Sequence, residues 1–507
     1  MAAAIADMLV VGGGINGTGI ARDAAGRGLS VTLVEQGDLA GATSSASSKL
    51  IHGGLRYLEY YEFRLVREAL LERERLLRLA PHVIWPMDFV LPLERSLRPA
   101  WFVRLGLFMY DHLAPRKRLP ATRSVRLDRD PVGAALKPGF RRGFIYADCW
   151  VEDSRLVVLN ARDAADRGAS VLTRTQLVQA TRGVDTWRCE LLHPDGQRST
   201  LEARTLVNAA GPWVTRVLNQ TMGLNSGKQV RLIKGSHIVL PRLHPGPEAF
   251  ILQNTDRRII FAIPYEGLYT LVGTTDVAFD GDPARVAIDP AETSYLLDVV
   301  NRHFRRQASA EDIVWSYAGV RPLYDDASEN VSVVTRDYVL DLDAGPGRPA
   351  LLSIFGGKVT TFRKLAEHAM ERLAPHLPAA GKPWTDSAPL PGGDMPDGDF
   401  AGFLAGFRAR FPFLSPELSL RLARAYGTRA DRMLESCQSM ADLGLCFGGD
   451  LHQRELDYLT REEWAETAED ILWRRSKLGL HVPAGTARVL DDALALRVPV
   501  LRVPVAQ

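Results

Sequence analysis

The hydrophobic and polar positions near the N-terminus predict alternating strands and helices. Residues 4–11 form a short apolar run, residues 18–26 are rich in alanine, and residues 29–34 form a second apolar run. With glycines in the first turn, this order of strand, helix and strand predicts a βαβ unit. Apolar residues recur at helical spacing over residues 63–79, which predicts a helix there.

The middle and the C-terminal part of the chain differ in their patterns. Alternating apolar and polar residues predict strands over 171–207, 232–239 and 259–272, and helical spacing returns over 292–304. Residues 378–398 contain five prolines and four glycines, which is typical of a linker or domain boundary. Beyond this stretch the pattern favours helices alone, so we expect a separate helical domain.

Composition and charge exclude several classes of protein. The chain has 507 residues, of which 46% are hydrophobic and 24% charged, as in a soluble globular protein of several domains. A net charge of +2 gives no general affinity for nucleic acid, and we expect no such partner. No uncharged run reaches the ~18 residues of a membrane-spanning helix, and no signal-peptide pattern precedes the first glycines. The four cysteines have no metal-binding spacing, so we expect buried thiols in a reducing compartment and no metal.

The glycines between the first strand and helix predict a dinucleotide site. In the run GGGING at residues 12–17, Gly12 permits the tight turn and Gly14 lets the backbone approach a pyrophosphate. Gly17 permits close packing of helix on strand, and Glu35 stands where a carboxylate accepts from a ribose hydroxyl. The alternative is a glycine turn with a purely structural role.

Three separated segments favour FAD over NAD. Residues 42–56 combine small hydroxyl side chains with glycines, which suits a backbone lying against a large flat ring. Residues 206–213 form an apolar run that ends in small residues, and residues 353–361 give a strand, a glycine pair and a helix start. At that helix start, Lys358 and backbone N–H groups suit the edge of a reduced flavin.

Six strings carry a close resemblance to the bacterial aerobic, FAD-dependent glycerol-3-phosphate dehydrogenases. They are TSSASSKLIHGGLRYLE at 43–59, NAAGPW at 208–213, RLIKGSHIV at 231–239, GTTD at 273–276, GVRP at 319–322 and FGGKVTTFRKL at 355–365. The resemblance runs in order from residue 7 to about residue 370. It returns weakly at 472–479, in the string LWRRSKLG.

The resemblance implies an α/β fold of three parts. These are a Rossmann-like FAD-binding domain, a mixed β-sheet substrate domain of the D-amino-acid-oxidase type, and an all-α C-terminal domain. The expected boundaries are 1–90, 140–225 and 345–375 for the discontinuous FAD-binding domain, 91–139 and 226–344 for the substrate domain, and 390–507 for the helical domain.

The resemblance and the glycine-rich segments together predict the residues that bind FAD. They are Gly12, Gly14, Ile15, Asn16, Gly17, Glu35, Gln36, Thr43, Ser44, Ser45, Ser48, Lys49, His52, Gly53, Gly54, Leu55, Ala210, Gly211, Trp213, Gly356, Gly357, Lys358, Val359 and Thr360.

The resemblance also implies an activity, the oxidation of sn-glycerol 3-phosphate to dihydroxyacetone phosphate by hydride transfer to FAD. Electrons then pass to ubiquinone or menaquinone. His237, Arg321 and Lys358 are the expected catalytic residues, and either His237 or Arg321 serves as the base. Arg56 and Arg336 join these three in binding the substrate. The ordinary histidine pKa near 6.5 suits a base at neutral pH.

Other functions stay open at this point. They are an oxidase that passes electrons to O₂, an amine oxidase like glycine oxidase, and a flavin-binding scaffold without turnover. A crowd of cations favours a phosphate over an amino acid. The basic, aromatic segment 99–118 is either a buried helix, which we favour, or a helix on an anionic membrane. The resemblance implies a cytoplasmic enzyme, peripheral on the inner-membrane lipid surface, and a homodimer is one option for its assembly.

Overall fold

The computed structural model describes residues 5–94, 99–256, 258–324 and 337–496. Its strands are β1 (Ala6–Val11), β2 (Val31–Val34), β3 (Leu50–Ile51), β4 (Ile84–Pro92), β5 (Arg123–Val125), β6 (Gly143–Val151), β7 (Ser170–Leu172), β8 (Gln176–Arg182), β9 (Trp187–Leu192), β10 (Arg198–Asn208), β11 (Val230–Pro241), β12 (Ala249–Gln253), β13 (Ile259–Tyr265), β14 (Tyr269–Gly273), β15 (Val277–Ala278), β16 (Trp315–Tyr324), β17 (Val339–Gly345), β18 (Arg348–Phe355), β19 (Cys446–Gly448) and β20 (Leu451–His452). Its α-helices are α1 (Ile15–Gly26), α2 (Phe63–Leu79), α3 (Ala100–His112), α4 (Asp153–Asp166), α5 (Val214–Arg216), α6 (Pro290–His303), α7 (Phe362–Leu373), α8 (Phe400–Arg410), α9 (Pro416–Tyr426), α10 (Arg429–Leu434), α11 (Gln453–Glu462) and α12 (Thr486–Ala495).

Parallel strands form the centre of the first sheet. The strand order of the whole sheet is β17-β18-β10-β1-β2-β7, with β17 antiparallel to β18, and the β8–β9 hairpin continues from β10. All of β2 and all but one residue of β1 are buried, as expected for a parallel sheet covered on both faces. Helices α1, α4 and α7 pack against the sheet face that carries Met8 and Val10. The predicted βαβ unit and Rossmann-like domain are confirmed.

The second sheet is mixed, as predicted. Its order is β15-β11-β14-β13-β12-β4-β6-β3, with β16 on the other side of β11 and β5 on β6. Most pairs are antiparallel, but β12 runs parallel to β4. β16 pairs with β11 from Val230 opposite Tyr324 to Val239 opposite Trp315, and this register sets His237 beside Tyr317.

The two sheets divide the chain at different points from the expected boundaries. β3 and β6 lie in segments expected to belong to the FAD-binding domain, 1–90 and 140–225, but both belong to the second sheet. β4 joins them, because it pairs with β6 from Ile84 opposite Val151 to Pro92 opposite Gly143. β17 pairs with β18 in the first sheet, although it falls within 226–344. The pairing of strands that are far apart in sequence cannot be predicted from the local composition of either strand.

Helices α8 to α12 surround a hydrophobic core of their own in the C-terminal part of the chain. The predicted helical C-terminal domain is confirmed, and it also contains one short antiparallel pair, β19 and β20, that was not predicted. With three and two residues, these strands are too short to give a pattern. Arg155 of α4 is buried against this domain, where it forms an ion pair with Glu463. Cys446 is exposed, unlike the other three cysteines, which are buried as expected.

The predicted linker 378–398, here called the strap, lies against the first domain. Trp384 donates from Nε1 to the carbonyl oxygen of Asp23 over 3.1 Å. Arg22 donates from Nη2 to the carbonyl oxygen of Ala388 over 3.0 Å. These contacts tie the strap to α1, so it is an ordered connection and not a free linker.

Helix α3 is a surface helix, which corrects the favoured interpretation of segment 99–118 as buried. Trp101 is 69% exposed, and Phe102, Leu105 and Phe108 are also exposed, while Leu107 and Tyr110 face inward. The periodicity of a short apolar helix does not by itself show which of its faces is covered. None of the helices in the described part of the chain is long and apolar enough to cross a membrane.

Candidate active site

Close backbone contacts build the glycine turn at the end of β1. Gly12 has a φ of +112°, and a Cβ there would lie 2.5 Å from the carbonyl oxygen of Ala209. A Cβ at Gly17 would lie 1.9 Å from the carbonyl oxygen of Gly12. Gly14 differs, since a Cβ there would meet Ser44 Oγ alone, at 3.1 Å. The fold itself therefore requires Gly12 and Gly17, whereas Gly14 leaves an open side towards a cavity.

Glu35, just after β2, closes the same turn. Its carboxylate accepts from the backbone N–H of Gly13 over 2.7 Å and from that of Gly37 over 2.8 Å. Burial raises the pKa of Glu35, and the two hydrogen bonds oppose this rise. Glu35 and Gln36 both line the cavity, where a carboxylate oxygen has further lone pairs for a ribose hydroxyl.

The hydroxyl-rich loop 42–48 lines the cavity beside the glycine turn. Ser44 Oγ accepts from the backbone N–H of Ile15 over 3.0 Å, at the first residue of α1. Thr43 Oγ1 donates to the carbonyl oxygen of Val320 in β16 over 2.6 Å. The loop therefore joins the cofactor-binding sheet to the second sheet.

Lys49 supports this loop from behind and does not line the cavity. The side chain is fully buried, and Nζ lies 2.8 Å from Asp153 Oδ1 and donates to the carbonyl oxygen of Ser45 over 3.0 Å. Asp153 also accepts from Ser47 Oγ over 2.7 Å. Burial would raise the pKa of Asp153, but the charge of Lys49 holds that pKa below its usual value. The structure thus places Lys49, one of the residues predicted to bind FAD, behind the loop and outside the lining of the cavity.

The glycine pair after β18 closes the cavity from a third direction. Asn16 donates from Nδ2 to the carbonyl oxygen of Gly356 over 3.0 Å. Lys358 follows the pair, and its Nζ lies 4.3 Å from the centre of the Tyr57 ring. Three segments far apart in sequence thus meet at one place, as predicted.

These segments enclose one continuous cavity of about 1060 Å³. Pockets for drug-sized ligands are about 300–1,000 Å³, so this cavity suits a large ligand. The predicted FAD-binding residues that line it are Gly12, Gly14, Ile15, Asn16, Glu35, Gln36, Thr43, Ser44, Ser45, Ser48, His52, Ala210, Gly211, Trp213, Gly356, Gly357, Lys358, Val359 and Thr360. The predicted residues that lie outside its lining are Gly17, Lys49, Gly53, Gly54 and Leu55.

His237 lies at the other end of the cavity, on β11. Its Nε2 is 2.9 Å from Ser48 Oγ, while Nδ1 is buried and has no hydrogen-bond partner among the described residues. Burial lowers the pKa of His237 to about 3, and the positive charges of Lys49 and Arg321 act in the same direction. The imidazole is therefore neutral at physiological pH, well away from the ordinary value assumed from sequence.

The predicted cations do not all reach this end of the cavity. Arg321 lines it and donates from Nη2 to Asp276 Oδ1 over 2.6 Å, and Lys358 also lines it. Arg56 lies in the 3₁₀-helix Leu55–Tyr60, outside the lining. Arg336 lies outside the described residues. Among the described residues, the structure thus brings two of the predicted substrate-binding cations to the cavity.

Several lining residues were missed from sequence. They are Ser47, Tyr57, Arg216, Thr274, Trp315, Tyr317, Glu469, Trp473, Arg474 and Lys477. Trp315 and Tyr317 stand two positions apart in β16, which is the spacing of one strand face, just before the recognised string at 319–322. Trp473, Arg474 and Lys477 belong to the string at 472–479, whose weak resemblance was the available indication.

The residues present fit an FAD molecule. Asn16 Oδ1 is buried at the cavity wall and has no partner among the described residues, so an acceptor is left for a ligand. Gly14 leaves space for a close approach, and α1 begins beside it with the N-terminus that attracts a pyrophosphate. The donor and acceptor groups along the cavity are those that a dinucleotide requires.

Comparison with family models identifies the class. The model described as FAD dependent oxidoreductase matches residues 7–363, and the C-terminal domain of alpha-glycerophosphate oxidase matches residues 383–503. The chain belongs to the family of FAD-dependent oxidoreductases, and its cofactor is FAD.

Individual relatives narrow the class further. The chain is 57% identical to the glycerol-3-phosphate dehydrogenase of Pseudomonas aeruginosa, covering 94% of this chain and 93% of that one. It is 53% identical to the D-erythritol 1-phosphate dehydrogenase of Brucella abortus, covering 94% and 95%. The structure of glycerol-3-phosphate dehydrogenase from Bacillus halodurans complexed with FAD matches with a TM-score of 0.74 and 28% identity, covering 94% and 87%. The predicted resemblance to FAD-dependent glycerol-3-phosphate dehydrogenases is confirmed.

Proposed function

We propose that this enzyme oxidises sn-glycerol 3-phosphate to dihydroxyacetone phosphate. The observation that carries the proposal is that one continuous cavity is lined both by the predicted FAD-binding segments and by a buried neutral histidine and two cations. When bound, FAD supplies the acceptor for a hydride. The names of the relatives support glycerol 3-phosphate as the substrate.

His237 takes the role of base in this proposal. As the hydride leaves the carbon, the hydroxyl proton on that carbon moves to the imidazole, and the C–O bond becomes a carbonyl. We take Nε2 as the accepting nitrogen, because it already meets a hydroxyl oxygen, Ser48 Oγ, whereas Nδ1 is buried without a hydrogen-bond partner among the described residues. Ser48 Oγ, 2.9 Å from Nε2, occupies this lone pair in the structure, and its hydroxyl turns away when the substrate hydroxyl takes its place.

Arg321 and Lys358 hold the charged substrate. A guanidinium can bind two oxygens at once, and the Asp276 carboxylate fixes Arg321 at the cavity edge. Lys358 stands at the start of the 3₁₀-helix Val359–Thr361, so its charge adds to that of the backbone N–H groups there. Arg56 and Arg336 stay in the proposal as further phosphate ligands on the strength of the resemblance alone.

The test is anaerobic bleaching of the purified yellow protein. Glycerol 3-phosphate should reduce the flavin, whereas glycine and D-alanine should leave it oxidised. Bleaching by the amino acids and not by the phosphate would overturn the proposal.

A second candidate substrate is D-erythritol 1-phosphate. The relative named for it is 53% identical over 94% of this chain, close to the value for the glycerol-3-phosphate dehydrogenase. Both compounds carry a phosphate at one end of a polyol, so the same cations serve both. Comparison of flavin reduction rates at limiting concentrations of each compound decides between them.

The proposed electron acceptor is ubiquinone or menaquinone, reached from the cytoplasmic face of the inner membrane. The exposed rings of α3 support a membrane-facing role, since Arg104 lies on the same helix as Trp101 and Phe108, and Arg116 and Lys117 follow the end of the helix at His112. Aromatic and basic side chains on one helix favour the surface of an anionic bilayer. Turnover with a soluble quinone should exceed turnover with O₂, and the reverse would indicate an oxidase.

Flotation with anionic and neutral phospholipid vesicles tests whether the exposed face of α3 binds a membrane. The double change Trp101→Ser and Phe108→Ser should release the enzyme from anionic vesicles while flavin reduction continues. Leu420→Ser, on the exposed face of α9, is the matched control. Unchanged binding by the double variant would exclude α3, and conversion of a dimer to a monomer would assign α3 to a homodimer interface instead.

A further inference from the structure

Four aromatic rings form a continuous row along one wall of the cavity. His237 stacks on Tyr317 with ring centres 4.7 Å apart and an interplanar angle of 17°. Tyr317 lies 5.0 Å from Trp315, and Trp315 stacks on Trp473 at 4.3 Å and 24°. Three of the rings belong to the second sheet, but Trp473 belongs to the C-terminal domain. The row therefore links that domain to the proposed base.

The row matters because hydrogen bonds fix the His237 ring at one atom only. Nε2 has Ser48 Oγ beside it, whereas Nδ1 has no partner in the described part of the chain. The plane of the ring must then be held by packing. On one side lies Gly273, where a Cβ would come within 2.1 Å of the imidazole, and on the other side lies Tyr317.

Besides His237, Tyr317 is held from three directions, one of which is Lys49 Nζ, 5.2 Å from the centre of its ring. Its hydroxyl donates to the carbonyl oxygen of Ser47 over 2.8 Å, and its ring lies against Trp315. Trp315 begins β16 and is covered on its outer side by Trp473. Loss of the Trp473 ring would leave Trp315 free to turn, and with it the packing that fixes Tyr317.

The segment that carries Trp473 is itself fixed to the cofactor side of the cavity. It lies in the π-helix Asp470–Arg475, where Arg474 Nε and Arg475 Nη1 each lie 2.5 Å from Asp38 Oδ2. Asp38 lies three residues after Glu35, the residue predicted to accept a hydrogen bond from the ribose. Two residues past the π-helix, Lys477 donates to the carbonyl oxygen of Trp473. Trp473 is therefore presented to the row by a braced segment.

We propose that Trp473 is a positioning residue of the active site, through which the C-terminal domain holds His237 in the orientation for proton transfer. This inference rests on the proposed function, in which His237 is the base. It assigns a role to the string at 472–479, which the reaction itself does not use.

The experiment compares Trp473→Leu, which keeps bulk but removes the ring, with Trp473→Phe, which keeps a ring. Anaerobic stopped-flow reduction by glycerol 3-phosphate gives the limiting rate and the substrate affinity separately. We expect the limiting rate of Trp473→Leu to fall by about 10- to 100-fold, as for a misplaced catalytic group, with near-normal substrate affinity and full FAD content. Trp473→Phe should recover most of the rate.

Diethylpyrocarbonate labelling provides a readout that needs no substrate. The peptide that contains His237 should be modified faster in Trp473→Leu holoenzyme than in wild type, because Tyr317, which covers the imidazole, is then held less firmly through Trp315. Trp384→Leu is the matched control, since Trp384 also packs between the C-terminal half and the first domain but lies on the strap. It should keep the wild-type rate and labelling.

The outcomes separate the two proposals. Unchanged rate and unchanged labelling in Trp473→Leu would overturn the positioning role, as would an equal loss in Trp384→Leu. Reduced substrate affinity with an unchanged limiting rate would also overturn it, because Trp473 would then contact the substrate directly. If wild type is not reduced by glycerol 3-phosphate, the proposed function fails, while the labelling result still tests whether Trp473 acts on His237 through Trp315 and Tyr317.

Discussion

At the glycine-turn end of the cavity, here called the backbone end, backbone groups make the critical contacts, whereas at the His237 end, here called the side-chain end, side chains make them. Gly12 and Gly17 are required because a Cβ at either would strike a carbonyl oxygen. His237 depends instead on Ser48, Tyr317 and, two rings further on, Trp473. The backbone end thus depends on close approach of the main chain, and the side-chain end depends on which side chains line it. This difference suits a family whose relatives are named for different polyol phosphates.

The largest effect expected at the side-chain end follows from removing the base. His237→Ala should lower the limiting rate of flavin reduction by roughly 10²- to 10⁴-fold, because no group then accepts the hydroxyl proton. FAD should remain bound, since the backbone end is untouched. Stopped-flow absorbance measures the rate. His303→Ala, a buried histidine on α6 away from the cavity, is the control, and a normal rate in His237→Ala would transfer the role to Arg321.

Lys358 lines the cavity and is proposed to serve both the substrate and the flavin, so its loss should affect two properties. Lys358→Ala removes a charge-assisted contact worth about 1.5–3 kcal/mol, or roughly 10- to 150-fold in substrate affinity. It should also lower the reduction potential of the flavin, because a positive charge beside the ring favours the reduced anion.

Potentiometric titration beside substrate binding to the oxidised enzyme separates these two effects. Lys364→Ala is the matched control. Lys364 lies six residues later in α7, forms an ion pair with Glu367 and does not line the cavity. A wild-type potential in Lys358→Ala would refute the tuning role and leave Lys358 as a substrate ligand alone.

At the backbone end, substitutions at two glycines should have different effects, one on FAD binding and the other on folding. Gly14→Val should fold normally and lose FAD affinity by at least about tenfold, or 1.4 kcal/mol, because the new side chain fills the space open to the pyrophosphate. Gly17→Val should fail to fold, since its Cβ would overlap the Gly12 carbonyl oxygen at 1.9 Å. Circular dichroism and flavin absorbance after washing provide the two measurements. Full FAD content in Gly14→Val would contradict the assignment of this turn to the pyrophosphate.

The smallest expected effect is the absence of an acid limb in the pH profile. With the pKa of His237 lowered to about 3 by burial, the base is already neutral above about pH 5 and stays so as the pH rises. A base with the ordinary pKa near 6.5 would lose about tenfold in rate at pH 5.5. The limiting reduction rate measured between about pH 5.5 and 8 distinguishes the two. A limiting rate about tenfold lower at pH 5.5 than at pH 8 would contradict the lowered pKa and would show that His237 is more hydrated than its burial indicates.

The backbone end was largely predictable from sequence. The run 12–17, the acid at Glu35 and the glycine pair 356–357 each place a known type of group at a fixed distance along the chain, and the structure brings them together. Helix α2 was predicted at the observed bounds, Phe63–Leu79, because its apolar spacing is regular.

The side-chain end was less predictable for a physical reason. Whether Lys49 faces the cofactor or Asp153 depends on a partner more than a hundred residues away, and local pattern contains no information about that pair. The exposure of Trp101 depends in the same way on what packs against α3. The pKa of His237 depends on burial and on charges from two other segments. Such properties arise from tertiary contacts, which a single sequence does not display.

The ordered strap also bears on how the molecule responds to a protease. A cut within 378–398 would break the chain without separating the parts, because Arg155 remains paired with Glu463 across the join and Trp384 remains on α1. Dissociation would expose to water Trp464, which is buried in the hydrophobic core shared with α1, α4 and α7, and this opposes separation of the fragments. The nicked protein would therefore run as two bands under denaturing conditions and as one yellow species in gel filtration.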